Sequence, residues 1–378
     1  MKMTFVLSAS LLIGGALLQA QQPPLDQNRP LFIPLVSPDV HADRTITFRF
    51  SAPNAPAIQL TFDGKNYPMT KDDKGVWSAT VGPLDPNVYR YSYQIGGVQF
   101  NSGQVEIRSP SGTVPVVYAT RNVPHGTIAI HSYYSNVQGR PRTLRVYLPP
   151  QYYSEPNRKF PVLYLFSGGD ETGFSTTGRG NLIMDNLIAD GKAAPMLVIT
   201  PNNSINDGTG KDAAYPAALD NLAVIEKEML ADIMPMIEKD YRTYNDRDHR
   251  AITGASFGGG VSFGMGMRHL DMFAYVGEFS TGTFGGADTP PDGHTNYIAY
   301  DPDKIAPGMY KHLLDPATKP KLFFMAVGDR DPRSPYQKLA YEDFKRNGID
   351  VTFKTFPGGH GDQAFGGAQV DFVQLLFK

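Results

Sequence analysis

The feature that most limits what this chain can fold into is Ala251-Ile252-Thr253-Gly254-Ala255-Ser256-Phe257-Gly258-Gly259-Gly260. An apolar run meets Gly-x-Ser-x-Gly, and a helix-like stretch follows. A serine held on so tight a strand-to-helix turn needs glycine on either side, because a side chain there would collide with neighbouring backbone. The turn lifts the Ser256 hydroxyl above the end of a sheet. The N–H of Phe257 then points to where an oxyanion would develop. The pentapeptide alone has many chance matches, and its bland reading is a glycine-rich packing turn. The strand before it and the helix after it favour a nucleophile.

The surroundings supply such a sheet. Continuous apolar runs at Pro161–Phe166, Met196–Thr200, His249–Thr253, Phe273–Val276 and Leu322–Val327 suit strands buried on both faces of a mostly parallel sheet. Asn181–Ala189 and Leu219–Tyr241 carry apolar residues at helical spacing between them. Thr127–Tyr134 and Arg142–Leu148 read as an antiparallel pair ahead of the runs. Alternating strand and helix predicts an α/β fold over residues 119–378.

A serine nucleophile needs a base, and the base needs an orienting acid, in the chain order Ser, acid, His for this kind of fold. Three histidines lie well after the elbow: His294, His312 and His360. His360 sits in Pro357-Gly358-Gly359-His360-Gly361, just beyond the alternating strand Val351–Phe356, and is the expected base. His312 falls in helical-looking sequence and reads as packing or surface. His294, in a Pro/Gly loop, could rim a pocket. His249 and His269 flank the elbow and read as structural. The acid should follow the preceding strand, which ends in Gly328-Asp329-Arg330-Asp331-Pro332. Asp331 is favoured and Asp329 is the alternative. Either could instead cap the next helix.

The first part of the chain has a different period. Thr45–Phe50, Ala57–Phe62, Gly75–Val81 and Tyr89–Ile95 alternate with period two, with turns at Asp63-Gly64 and Gly96-Gly97. Short strands about ten residues apart predict a small all-β sandwich over 28–118. Trp77, the single tryptophan, sits in one of these strands and reads as core rather than as a sugar platform. Before it, Lys2 and the apolar stretch Phe5–Leu18 read as a secretory signal over residues 1–20, with Leu18-Gln19-Ala20 as an imperfect cleavage site. The stretch is shorter than the ~20 residues a spanning helix needs. A secreted or periplasmic protein without a membrane anchor is therefore expected. A formal charge of −2 lacks the basic excess of a nucleic-acid binder. The chain has no cysteine, which excludes disulfides and thiolate metal sites. His and Asp are not spaced as metal ligands, and no cofactor is expected.

These residues resemble the esterase D-type α/β-hydrolases of carbohydrate esterase family 1, which include feruloyl and acetyl-xylan esterases. Phe160–Leu165, Gly178–Asn181 with Asp185–Ala189, Asp246–Ile252 into the elbow, and Phe273–Gly277 carry the likeness in order. It covers roughly residues 120–378. Val36-Ser37-Pro38, Ala52–Ala55, Met69–Trp77 and Gly82-Pro83-Leu84 resemble the early-set immunoglobulin-like modules related to carbohydrate-binding module family 48. The resemblance implies an α/β-hydrolase sandwich preceded by a small immunoglobulin-like sandwich. It places the nucleophile on Ser256, the acid on Asp331 and the base on His360. The oxyanion donors fall on the N–H groups of Phe257 and Gly169. It implies an ester hydrolase acting on feruloyl or acetyl groups of a plant-type polysaccharide. Acyl transfer to a sugar hydroxyl, and a non-catalytic glycan-binding role, are the alternatives. Three departures bear on the pocket. Ser167-Gly168 stands where the family usually has His-Gly. No tryptophan follows His360. Phe174 stands in place of a common tryptophan.

Overall fold

The structure is a computed structural model that describes residues 35–113, 116–168, 171–174, 178–205, 218–280 and 301–378. The expected signal at 1–20, Gly169 and His294 lie outside the described residues. The described residues up to Asp85, with Tyr89–Ile107, form one compact unit, and Pro86–Val88 with Arg108–Lys378 form the other.

In the first unit the period-two segments become strands. They are β1 (Asp39–Val40), β2 (Ile46–Ser51), β3 (Gln59–Phe62), β4 (Lys65–Pro68), β5 (Thr70–Lys71), β6 (Val76–Val81), β7 (Asn87–Ile95) and β8 (Val98–Ile107). They form two four-stranded sheets, ordered β1-β2-β6-β5 and β4-β3-β7-β8. Alternate residues of both sheets enter one core: Ile46, Phe48, Trp77 and Val81 from the first, Leu60, Phe62 and Tyr93 from the second. The Phe48 and Phe62 rings meet 5.6 Å apart between the sheets. Asp63 and Gly64 both take positive φ, 47° and 77°, which suits a two-residue hairpin and sets Phe62 opposite Lys65. Trp77 is 7% exposed, and its indole N–H donates to the Ala52 carbonyl at 3.0 Å. It is a core residue.

The second unit is built on one eight-stranded sheet. Its strands are β9 (Thr127–Ser135), β10 (Arg140–Leu148), β11 (Val162–Phe166), β12 (Leu197–Pro201), β13 (Arg250–Gly254), β14 (Tyr275–Phe279), β15 (Leu322–Gly328) and β16 (Thr352–Phe356). Their order is β16-β15-β14-β13-β11-β12-β10-β9. β11 to β16 run parallel, and β10 runs antiparallel to both β12 and β9. Every residue of β11, β12, β13 and β14 is buried, which is why those segments read as unbroken apolar runs.

Successive side chains along these strands feed opposite faces. Val162, Tyr164 and Ile252 join a core with Ile225, Phe263 and Phe344 from helices on one side. Leu163, Leu165 and Ala251 join a second core with Ile183, Leu187 and Phe372 from helices on the other. The result is a three-layer sandwich. The predicted helix over 219–241 is one run with a fault in it. Ala218–Glu228 and Met234–Asp240 are α-helical, and Met229–Ile233 between them is a wider π turn. The wide turn ends two residues before Pro235, which has no N–H to complete a regular turn.

β11 has β13 on one side and β12 on the other, so chain crossovers leave it in both directions. Such a reversal opens a crevice beyond the C-terminal ends of the parallel strands, where open α/β sheets bind ligands. Ser167, Ser256, Asp331 and His360 follow β11, β13, β15 and β16.

Candidate active site

Ser256 follows β13 and precedes the helix Phe257–Arg268. It has φ 54° and ψ −125°, a conformation a non-glycine residue adopts only under constraint. The constraint is visible in the hydrogen bonds. Ala255 N–H donates to the Phe166 carbonyl and Ser256 N–H to the Phe279 carbonyl, each at 3.0 Å. These bonds tie the turn to the ends of β11 and β14. A Cβ on Gly254 would lie 2.3 Å from the Gly258 carbonyl oxygen, and one on Gly258 would lie 2.2 Å from that of Ser167. Both glycines are required by close backbone approach. Phe257 opens the helix, so its N–H stands at the helix N-terminus, where the aligned backbone dipoles favour negative charge.

His360 reaches this turn from the loop after β16. Its Nε2 lies 2.8 Å from Ser256 Oγ, and its Nδ1 lies 2.7 Å from Asp331 Oδ2. Asp331 can only accept, so Nδ1 carries the proton and Nε2 presents a lone pair to the serine hydroxyl. Asp331 is 3% exposed and also accepts from the Arg333 N–H at 2.8 Å. Burial on its own pushes the carboxyl up. The bonds from His360 and Arg333 outweigh it and hold Asp331 below the ordinary carboxylate range. The carboxylate is therefore ionised at neutral pH.

Asp329, the alternative acid, faces elsewhere. Its Oδ1 accepts from the Gly358 N–H at 2.8 Å, and its own N–H donates to the Phe356 carbonyl. It braces the loop that carries His360 and does not meet the imidazole. The other described histidines near the elbow in sequence or after it have partners or places of their own. His249 pairs with Asp246 and His269 with Glu226, each at 2.7 Å, and His312 lies in the helix Met309–Leu314.

A cavity of about 300 Å³ opens beside Ser256 and His360. Gly168 forms part of its wall, 3.9 Å from Ser256 Oγ at the position a Cβ would take. Phe174, Phe365 and Gln369 also line it. The His360 and Phe365 rings meet edge to face at 5.1 Å. Three neighbours of the site were not singled out from sequence. Arg333 places Nη1 2.7 Å from His360 Nε2, Phe365 packs on the ring, and Gln369 is buried in the wall. Only Gln369 carried a readable signal: it is a lone polar residue in the apolar stretch Ala364–Val370.

Strand order, elbow and the Ser-His-Asp constellation define an α/β-hydrolase fold. Comparison with known proteins agrees. The esterase family model matches residues 135–302. The curated endo-1,4-beta-xylanase/feruloyl esterase of Xylanibacter ruminicola is 33% identical over 271 residues, 65% of this chain. The match covers 36% of that relative, so the chain spans about a third of its length. A solved ferulic acid esterase is 26% identical with a TM-score of 0.53, covering 68% of this chain and 98% of that one. The ferulic acid esterase of Anaeromyces mucronatus without substrate is 25% identical with a TM-score of 0.58, covering 70% of this chain and 96% of that one.

Proposed function

We propose that this protein is a serine carboxylic-ester hydrolase that removes acyl groups, feruloyl or acetyl, from a plant-type polysaccharide. The observation that carries the reading is the continuous relay from Asp331 through His360 to Ser256 at the mouth of a cavity. The feruloyl esterase relatives suggest the substrate class.

In this reading His360 Nε2 takes the Ser256 proton as Oγ attacks the ester carbonyl. Asp331 holds the ring with Nδ1–H inward and stabilises the imidazolium that forms. The oxyanion of the tetrahedral intermediate sits on the N–H groups of Phe257 and Gly169. Collapse expels the alcohol of the glycan, which receives its proton from His360. Water activated by the same imidazole then releases the acid from the acyl-enzyme. The chain is exported through residues 1–20 to the periplasm or exterior, where polysaccharide is met. Among the described residues no helix is long and apolar enough to cross a membrane. The N-terminal sandwich is an early-set immunoglobulin-like module.

Initial rates on p-nitrophenyl acetate and methyl ferulate, for wild type and Ser256→Ala, test the reading. Wild type turns over at least one ester, and Ser256→Ala lowers that rate by roughly 10⁴–10⁶. Full activity in the variant overturns it. A fluorophosphonate probe labels Ser256 in the wild type. Failure to label favours the non-catalytic alternative.

A further inference from the structure

Gln369 is 1% exposed, on the helix Asp362–Val373, and it lines the cavity beside Ser256. Its Oε1 is buried and has no hydrogen-bond partner among the described residues. Its Nε2 packs towards the start of the helix Gly180–Ala189, 3.1 Å from where a Cβ on Gly180 would stand. An amide acceptor left unpaired in the interior is destabilising, so a side chain of this kind persists where something completes it. Beyond Ser167 and the Ser256–His360 pair, the rest of the described wall is apolar or lacks side chains: Phe174 and Phe365 present rings, and Gly168, Gly173, Gly178 and Gly366 leave flat space. A pocket with aromatic walls and a buried, unpaired acceptor fits a planar acyl group that carries its own hydrogen-bond donor.

We propose that Gln369 is a specificity-determining residue of the acyl pocket, accepting a hydrogen bond from a ring hydroxyl of an aromatic acyl group. It favours hydroxylated aromatic esters over the same esters without the hydroxyl, and over acetyl. The inference rests on the esterase reading for its substrate but not for its measurement. When the unsubstituted analogue binds, Oε1 stays unpaired, and the lost bond appears as discrimination between the two.

Binding in Ser256→Ala separates the two claims, because no turnover is needed. The affinities of methyl p-coumarate and methyl cinnamate, which differ by one ring hydroxyl, are measured by calorimetry in Ser256→Ala and in Ser256→Ala/Gln369→Met. We expect the hydroxylated ester to bind about tenfold more tightly in the first protein. The ratio falls to near one in the second, whose side chain has similar length and no amide. Equal affinities in Ser256→Ala overturn the proposal, and so does binding of neither ester. The amide would then serve a water in the ~10 Å³ void behind Phe174, which it also lines. Discrimination without any wild-type turnover would instead sink the esterase reading and leave the pocket assignment standing.

Discussion

Among the described residues the sandwich buries a single polar side chain, Ser92, while the α/β unit buries Arg142, Asp185, Glu228, Arg250, Glu278 and Asp331. Uncharged polar residues such as Asn186, Gln337 and Gln369 are buried in the α/β unit as well, and the rest of both interiors is aliphatic and aromatic. The difference follows from architecture. Two antiparallel sheets facing one another satisfy their backbone within the sheets, and side chains need only fill the gap. A sheet covered by helices on both faces must pin long connections at strand ends, and buried charges with several partners do this. Glu228 pairs with Arg142 at 2.9 Å and accepts from Tyr133 and Gln138. Asp185 accepts from Tyr147, the Gly126 N–H and His125. Asp331 is the same kind of device beside His360, which it orients as the base in the proposed mechanism. Buried charge in this chain marks where loops and side chains are held in position.

The largest effect should come where the positioned group reacts. Asp331→Asn is expected to lower kcat by about 10⁴, because the ring loses its orienting anion and favoured tautomer. Asp329→Asn should change kcat no more than a few-fold, since a backbone brace is all it weakens. Steady-state kinetics of the two variants checks this, and comparable losses would reverse the assignment of the acid.

Next comes a buried charge with no chemistry to do. Arg142→Met leaves Glu228 without its cation and should cost about 3–5 kcal/mol. Arg142→Met/Glu228→Leu should recover much of that loss, because the desolvated charge is gone as well. Denaturant unfolding of both variants tests it. A double variant no better than the single would mean that Glu228 holds the fold through Tyr133 and Gln138 alone.

Acid should act on the α/β unit first. Asp331, Asp232 and Glu226 are each pushed up by burial, but their hydrogen bonds hold them below the usual range. A depressed carboxyl adds stability above its unfolded value, about 4, and loses it as pH falls through the lower folded value. The units offer separate reporters. Trp77 is the only tryptophan and lies in the sandwich, and all described helices lie in the other unit. Acid titration should remove helical far-ultraviolet dichroism at higher pH than it shifts Trp77 fluorescence, and the reverse order would break the contrast.

The smallest effect probes an uncharged core. Ile46→Val deletes one fully buried methylene from the sandwich and should cost about 0.5–1.5 kcal/mol. The loss should appear in the Trp77 transition and leave the helical one in place. A shift of both together would show that the units unfold as one.

Local pattern alone carried much of the description. Period two separated the sandwich strands, and continuous apolar runs found the strands buried on both faces. Asp63-Gly64 announced its hairpin, and Gly254 and Gly258 announced a turn that no side chain could enter. These features are readable because each is set by neighbours a few residues away. The break at Met229–Ile233 was not, since apolar spacing is nearly the same through an α and a π turn.

Other matters were decided only when distant segments met. Asp329 and Asp331 are two residues apart, and both follow β15. Which one faces His360 depends on how the turn after β15 folds against the loop after β16. There the Gly358 N–H takes Asp329, and Asp331 is left to the imidazole. Gln369 lies over a hundred residues from Ser256 in sequence and enters its cavity only because the last helix packs on the sheet. Sequence determined which residue types could do chemistry and in what order they occur. Tertiary structure decided which of them touch, because a hydrogen bond depends on a few tenths of an ångström that no local pattern specifies.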